Sequence, residues 1–509
     1  MSRQQPKVLL LYPPNQLMDI EVPRPDGSLG LLYLAGALRD HGIEVKVLDA
    51  SVGSDEDSLD DTFYRRVKQP NGLTRIGMTP DRIRDFVANG NYNIVGISSI
   101  FTPQTRMVIE TARAIKKADP RVLVISGGVN AQALASRLLA TGAIDLITNT
   151  ESEKLIVQIV RAWQQGDDFS SLAAVTRLTD EKLIRSPVAP STTYDDLDCL
   201  PYPAWDLLPF AKYEIMNAPH GSITPGKVRR YAPIMTSRGC PFRCAYCHIS
   251  EERSLAGPRG NIGLLRLKSI DRVMMEINHL RSLNVTHLFI EDDSLLAKKA
   301  RVTDLFRRIA GMGMKISNVN GVNLVHFGIR TSDGCLTPDR KYLELMKAAG
   351  FDEIVFPVES GNQRILDTYA SSKLNLEQFN VLELVRAATN VGIVCPVNMM
   401  IGFPDETENE MLQSVALAKQ LVEAGAAYVS FFIPIPFPGS QLFTQAIAGG
   451  YLSEDFDPDE MNWKNASMKN TTVPPERIIE IRNWAWDTVN TDAYKRGRIE
   501  REIRSRSAQ

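Results

Sequence analysis

The chain has little net charge. Its 509 residues carry 58 lysines and arginines against 60 aspartates and glutamates, a formal charge of −2. That balance gives no electrostatic reason to expect a nucleic-acid partner. The one basic run, from Lys495 to Arg506, is interleaved with Glu500 and Glu502 and reads as a solvated end. Long apolar runs are also missing. Every such run is short and broken by Gly, Pro or charge, so no membrane span is expected. The start, MSRQQPKVLLLYPP, is basic and then apolar. Only five or six apolar residues precede Pro13 and Pro14, without the small residues of a cleavage site. It reads as a first buried strand, and the chain is expected to be cytoplasmic. Cysteine is scarce: Cys199, Cys335 and Cys395 are scattered, and Cys240, Cys244 and Cys247 fall within eight residues. A secreted disulfide scaffold would be denser and more even. No internal repeat or low-complexity tract is visible. No G-x-G-x-x-G follows the first strand, which disfavours a nicotinamide site.

What is present is ordinary globular composition, 44% apolar and 23% charged, over a length that suits two domains. Periodicity over the first ~165 residues alternates strand and helix. Strands are expected at 7–12, 44–48, 94–99, 122–126 and 145–148, with helices at 29–41, 80–88, 104–118 and 131–141. This pattern gives a doubly wound parallel sheet, an α/β fold of Rossmann-like type. Ligands on such sheets bind beyond the strands' carboxyl ends. Those ends carry Pro13-Pro14, Ser98-Ser99, Gly127-Gly128 and Thr150-Glu151.

Residues 166–225 are Pro-rich and weakly periodic apart from a strand-like 173–178, and read as a surface linker. A second βα series follows over 226–450. Strands are expected at 232–236, 287–291, 315–319, 353–358, 394–400 and 428–433. Helices are expected at 270–283, 302–311, 339–349, 376–391 and 409–424. Six such units make a partial (β/α)6 barrel, with its chemistry at the strands' carboxyl ends. Residues 451–509, with Trp463, Trp484 and Trp486, read as a small helical segment.

The segment TSRGCPFRCAYCHIS directly follows the first barrel strand. Thiolates separated by three and then two residues can converge on one metal centre. A cubane held by three of them leaves one iron open. A structural zinc ion would want a fourth donor, which His248 could supply, so the spacing alone leaves zinc open.

C-x3-C-x2-C with an aromatic before the last cysteine resembles the radical S-adenosylmethionine (SAM) superfamily. The resemblance implies that Cys240, Cys244 and Cys247 ligate a [4Fe–4S] cluster whose fourth iron takes SAM's amino and carboxylate groups. An electron from an external flavodoxin- or ferredoxin-type donor then breaks the sulfonium bond and gives a 5′-deoxyadenosyl radical. Tyr246 is expected near the adenine. Glu291, Asp292 and Asp293 resemble the place where the family binds SAM's amino group. Glu359 and Ser360, in VESGNQRIL, resemble the Glu-Ser-Gly segment of the cobalamin-binding branch, and Gly402, in MMIGFPDET, resembles the segment beside the adenine.

LLLYPPN, LGLLYLAGALRDHG, IVGISSIFT and VISGGVNA resemble that branch's N-terminal domain. The likeness implies cobalamin bound over residues 1–165, lined by Ser98, Ser99, Thr102, Gly127, Gly128 and Glu151. Small residues let a flat macrocycle approach the backbone. Two features depart from the pattern. Val129-Asn130 follows the Gly-Gly pair where many members carry histidine, and the D-x-H-x-x-G motif of corrinoid proteins is absent. His41, the one histidine before His220, ends a helix and is expected to bond near that end. A cobalt ion here is thus expected to lack a histidine below it.

The resemblance implies a cobalamin-dependent radical SAM methyltransferase acting on an unactivated carbon of a small molecule or natural-product intermediate, with no nucleic acid and no membrane. The alternative keeps the cofactors but rearranges, contracts or cyclises the substrate. Methylthio transfer to tRNA would need a second cysteine triad in the N-terminal domain, where the first cysteine of this chain is Cys199.

Overall fold

The computed structural model describes residues 5–18, 21, 25, 27–216, 229–254, 260–318 and 320–504. The chain forms two units, 1–218 with 252–262 and 501–509, and 219–251 with 263–500.

In the first unit the strands are β1 (Val8–Tyr12), β2 (Asn15–Leu17), β3 (Val45–Asp49), β4 (Val67–Lys68), β5 (Thr74–Ile76), β6 (Ile94–Ser98), β7 (Leu123–Gly127), β8 (Leu146–Thr148), β9 (Val175–Thr179) and β10 (Lys182–Arg185). The helices are α1 (Leu29–Asp40), α2 (Pro80–Gly90), α3 (Thr105–Ala118), α4 (Val129–Ala133), α5 (Ala135–Leu139), α6 (Glu153–Gln165) and α7 (Phe210–Met216). The main sheet runs β10-β9-β8-β7-β6-β1-β3, and β8 through β3 are parallel. Its central strands are apolar runs because parallel strands covered on both sides have no solvent face. Val8, Leu9, Leu10 and Leu11 are all 0% exposed. The chain steps from β1 to β3 on one side and returns with β6 on the other. The switch point therefore lies between β1 and β6, where ligand crevices open.

Three sequence expectations change here. The single helix at 131–141 is broken into α4 and α5 at Leu134. The strand-like 173–178 is no linker piece: β9 extends the main sheet antiparallel to β8, and β10 adds antiparallel to β9. Residues 166–216 also pack onto α1. Trp205 is fully buried, Ala204 N–H donates to Leu32 O, and a Cβ on Gly36 would lie 2.0 Å from Tyr202 O. The rest of the expected linker, 217–225, lies outside the described residues.

In the second unit the strands are β11 (Tyr231–Ile234), β12 (Ser237–Arg238), β13 (Arg266–Leu267), β14 (His287–Ile290), β15 (Lys315–Asn318), β16 (Gly328–Arg330), β17 (Leu336–Pro338), β18 (Phe351–Ile354), β19 (Phe356–Glu359), β20 (Pro396–Met400) and β21 (Tyr428–Phe432). The helices are α8 (His248–Ser254), α9 (Ile270–Ser282), α10 (Lys299–Ile309), α11 (Arg340–Ala349), α12 (Gln363–Tyr369), α13 (Val381–Asn390), α14 (Glu408–Glu423), α15 (Gln441–Ala448), α16 (Pro475–Val489) and α17 (Asp492–Arg504). The parallel series β11-β14-β15-β18 is followed by β19-β20-β21. The fourth expected strand is thus split at Val355. A bridge between Glu353 and Val394 keeps both halves in register with β20, so the six-unit partial barrel is continuous. Cys335, expected in a loop, lies in the turn of the β16–β17 hairpin.

Helix starts are chemically marked. Asn380 accepts from Leu382 and Glu383 N–H groups, which moves the start of α13 from the expected 376 to 381. Thr407 and Glu410 form a reciprocal capping box on α14. Asn490, at the end of α16, bonds both the N–H and the C=O of Val429 at 2.8 and 2.9 Å. The C-terminal segment thereby satisfies the free edge of β21.

Candidate functional site

The cysteine loop leaves β12 and is tied on every side. Cys240 N–H donates to Gly263 O at 3.2 Å, Ala245 N–H to Tyr369 O at 2.8 Å, and Leu442 N–H to Ala245 O at 2.8 Å. Ser250 Oγ donates to Cys244 O at 2.8 Å, and Arg243 N–H to Ser371 Oγ at 3.1 Å. Gly239 has φ +82, and a Cβ there would lie 2.2 Å from Leu264 O, so the glycine before Cys240 is sterically required.

Burial raises all three thiols, that of Cys247 to about 12. Cys244 senses the charges of Lys373, Glu359 and Cys240, and Cys247 those of Cys244, Asp293 and Cys240. Three neighbouring thiols suit the three irons of a cubane, whose fourth iron needs no protein donor, so the donor set fits an iron–sulfur cluster.

The acidic trio after β14 divides its labour. Asp292 is 0% exposed and accepts from Thr236 N–H, Thr236 Oγ1 and Ser237 Oγ, each at 2.6 Å. This corrects the expectation that it meets SAM: its carboxylate is spent inside the fold, anchoring the strand that leads into the cysteine loop. Asp293 is exposed and accepts from Gly239 N–H at 2.8 Å, and Glu291 is half-buried.

Glu359 ends β19 with φ +69, a left-handed backbone that non-glycine residues rarely adopt. Its Oε1 accepts from Tyr246 OH and from Lys373 Nζ, both at 2.8 Å, which compensates the strain. Tyr246 therefore links the cysteine loop to the Glu-Ser-Gly segment. Its ring also lies 6.2 Å from Phe403, in a cluster with Ala245, Ile365 and Leu442. Ser360 is fully buried, and its hydroxyl lies 3.1 Å from Ser414 Oγ. Gly402 has φ +99, and a Cβ there would lie 2.5 Å from Ile478 of α16, so packing alone already requires glycine. Its N–H and that of Phe403 donate to Glu406 Oε2 at 2.6 and 3.0 Å. Glu406 is 0% exposed, its other oxygen has no partner among the described residues, and burial raises its carboxyl to about 8. Sequence reasoning missed Glu406 and Lys373.

In the first unit, Ser98 pairs with Gly127 across β6 and β7. Ser99 is 1% exposed; its N–H donates to Gly127 O at 2.8 Å, and its Oγ accepts from Asn130 Nδ2 at 2.9 Å. Thr102 is also buried, and Glu151 is half-buried. Gly127 and Gly128 have internal causes. Added Cβ atoms would lie 2.6 Å from Thr148 Oγ1 and 2.5 Å from Ser99 O, respectively, and Gly128 has φ +106. The small polar residues expected to line a corrin thus mostly build the loop. Its exposed surface is the apolar pair between them, Ile100 and Phe101, at 41% and 55% exposure. The apolar pair carries no periodic signal, and the sequence reading passed over it. His41 Nδ1 lies 2.8 Å from Ala37 O, the expected bond at its helix end.

The antiparallel trio β2-β5-β4 stands just beyond the end of β1. Gln16 of β2 exchanges bonds with Gln104, whose N–H donates to Phe101 O at 3.0 Å, and its partner in register is Arg75. Arg75 is 8% exposed, its Nε has no hydrogen-bond partner among the described residues, and burial lowers its pKa. Asn130 Oδ1 is likewise buried without a partner among the described residues. Buried polar groups left unpaired, together with an exposed apolar pair at the sheet's carboxyl ends, fit a large amphipathic cofactor.

A parallel sheet with a built ligand end, followed in the chain by a βα barrel carrying three thiols on the loop after its first strand, defines a radical SAM enzyme with a corrinoid-binding domain. Residues 234–418 match the Radical SAM superfamily and residues 27–159 the B12 binding domain. The chain belongs to the radical SAM enzymes that carry a B12-binding domain, and its cofactors are a [4Fe–4S] cluster, SAM and cobalamin. It is 26% identical over 487 residues to cytidylyl-2-hydroxyethylphosphonate methyltransferase of Streptomyces wedmorensis, covering 90% of this chain and 84% of that protein. It is 22% identical over 477 residues to the anaerobic magnesium-protoporphyrin IX monomethyl ester cyclase of a Synechocystis species, covering 93% and 83%. Its fold is similar to that of the radical SAM methyltransferase TsrM of Kitasatospora setae, solved with tryptophan and a SAM analogue. The TM-score is 0.61 at 18% identity, over 87% of this chain and 76% of that one.

Proposed function

We propose that this enzyme methylates an unactivated carbon of a small molecule or biosynthetic intermediate. The observation that carries the reading is the shared identity, across both domains, with a methyltransferase whose substrate is a nucleotide-linked small molecule. When bound, the cluster and cobalamin supply an electron for SAM cleavage and a methyl carrier.

The chain's own residues position and exclude. Cys240, Cys244 and Cys247 hold the cluster. Glu291, Asp293, Glu359 and Ser360 provide the polar side of the SAM site, and Tyr246 with Gly402 and Phe403 its apolar side. Asp292 fixes the loop from below. Ser98, Ser99, Thr102, Gly127, Gly128 and Glu151 shape the cobalamin site, and Ile100 and Phe101 present its apolar surface. Burial of Tyr246, Glu359 and Lys373 keeps water from the reacting region. The electron comes from a flavodoxin- or ferredoxin-type protein, the work is done in the cytoplasm, and nucleic acid takes no part.

The test is anaerobic incubation of cobalamin-loaded protein with SAM, reductant and candidate substrates. A product heavier by one methylene, with 5′-deoxyadenosine formed alongside, supports the reading. A second reading, radical cyclisation or rearrangement with the same cofactors, is favoured by the likeness to a cyclase along 93% of the chain. It predicts 5′-deoxyadenosine with no such mass gain.

A further inference from the structure

We infer that Lys373 is a positioning charge for the cluster: its ammonium, locked against Glu359, offsets the carboxylates around the cysteine loop and makes cluster reduction easier. The inference rests on the cluster assignment above.

The backbone is built to deliver this lysine. After α12, Ser371 and Ser372 take left-handed conformations in succession, with φ +61 and +48. Two such residues, neither of them glycine, are costly, and such strain persists only where the surroundings fix it. Here Ser371 Oγ accepts from Arg243 N–H, Ser372 N–H donates to Leu366 O, and Tyr369 O accepts from Ala245 N–H. The turn is thus stitched to the cysteine loop on both sides of Cys244.

Lys373 then runs inward. Its Nζ lies 2.8 Å from Glu359 Oε1 and 3.2 Å from Tyr246 OH, and 5.9 Å from the Tyr246 ring centre. The lysine and glutamate side chains are 11% and 10% exposed. Burial alone would lower the ammonium's pKa, but the paired Glu359 carboxylate holds it above its ordinary range. Tyr246, whose hydroxyl Lys373 Nζ contacts, immediately precedes Cys247, so the ammonium stands beside the cysteine loop.

An electron added to a cluster in this setting faces Asp293 and Glu359. The Lys373–Glu359 pair is itself largely shielded from water, so its fixed cation stabilises the reduced state. Removing the cation leaves Glu359 unopposed and disfavours reduction, while removing the Glu359 charge favours it.

The experiment is an EPR-monitored redox titration of the full-length, anaerobically reconstituted protein without SAM, with iron content measured for each sample. Lys373→Met is expected to make reduction about tenfold less favourable, a shift of about 59 mV to lower potential for one electron. Lys373→Arg should stay near wild type, and Glu359→Gln should shift upward. If Lys373→Met loses iron, Glu359→Gln decides: an upward shift supports the inference, and no shift overturns it. A fully loaded Lys373→Met at the wild-type potential also overturns it. Wild-type protein lacking a cluster signal would overturn the cluster assignment and the inference together.

Discussion

The two oxygens of Asp292 close on Thr236, one accepting its backbone N–H and the other its hydroxyl, each at 2.6 Å. The residue that looked like a ligand of SAM is therefore the bracket of the cysteine loop. Asp292→Ala leaves those donors and the Ser237 hydroxyl buried without an acceptor, at about 1–3 kcal/mol for each group. The expected outcome is a lower Tm and poor iron retention with cobalt content unchanged, checked by elemental analysis. Wild-type iron content in this variant would show that the loop is held elsewhere.

Cys244→Ala should purify with little iron and make no 5′-deoxyadenosine, yet retain cobalamin, since the B12-binding residues 27–159 contain no cysteine. Cys395→Ala and Cys335→Ala should keep iron at the wild-type level, because Cys395 is buried just before β20 and Cys335 sits in a hairpin turn.

Gly128→Ala forces a side chain onto a backbone at φ +106 and to 2.5 Å from Ser99 O. A cost of about 1–3 kcal/mol is expected from such strain. Because Ser99 and Asn130 share that turn, cobalamin affinity should fall measurably in absorption titrations, while iron content and cluster spectra remain those of wild type.

Glu406 gives a pH signature. Burial raises its carboxyl to about 8 from the ordinary 4.5. Between those values the unfolded chain releases the proton and the folded chain keeps it, so stability falls as pH rises. Glu406→Gln removes that slope. Thermal unfolding from pH 5 to 8 should show wild type losing Tm relative to Glu406→Gln, and parallel curves would mean that the buried carboxyl is already ionised.

The strands at 8–12, 94–98 and 123–127 were legible because parallel strands buried on both faces read as apolar runs, and the cysteine spacing was legible because one centre needs its ligands close in sequence. The breaks at Leu134 and Val355 were not, since no proline or glycine marks them. Nor was the β9–β10 extension of the sheet. Its exposed residues, Leu178 and Leu183 among them, carry no face pattern until β8 offers an edge.

Sequence alone determined the βα order and the cysteine triad, because period and ligand spacing are local properties. Tertiary structure decided which charges act. Among three adjacent acids, only the fold distinguishes Asp292, turned inward onto Thr236, from Asp293, exposed beside the loop. Lys373, 14 residues from Glu359 and 127 from Tyr246, is an unremarkable surface-type residue in sequence. Only a strained turn and burial bring its charge beside the thiols, and burial is a property of the packed chain rather than of any segment of it.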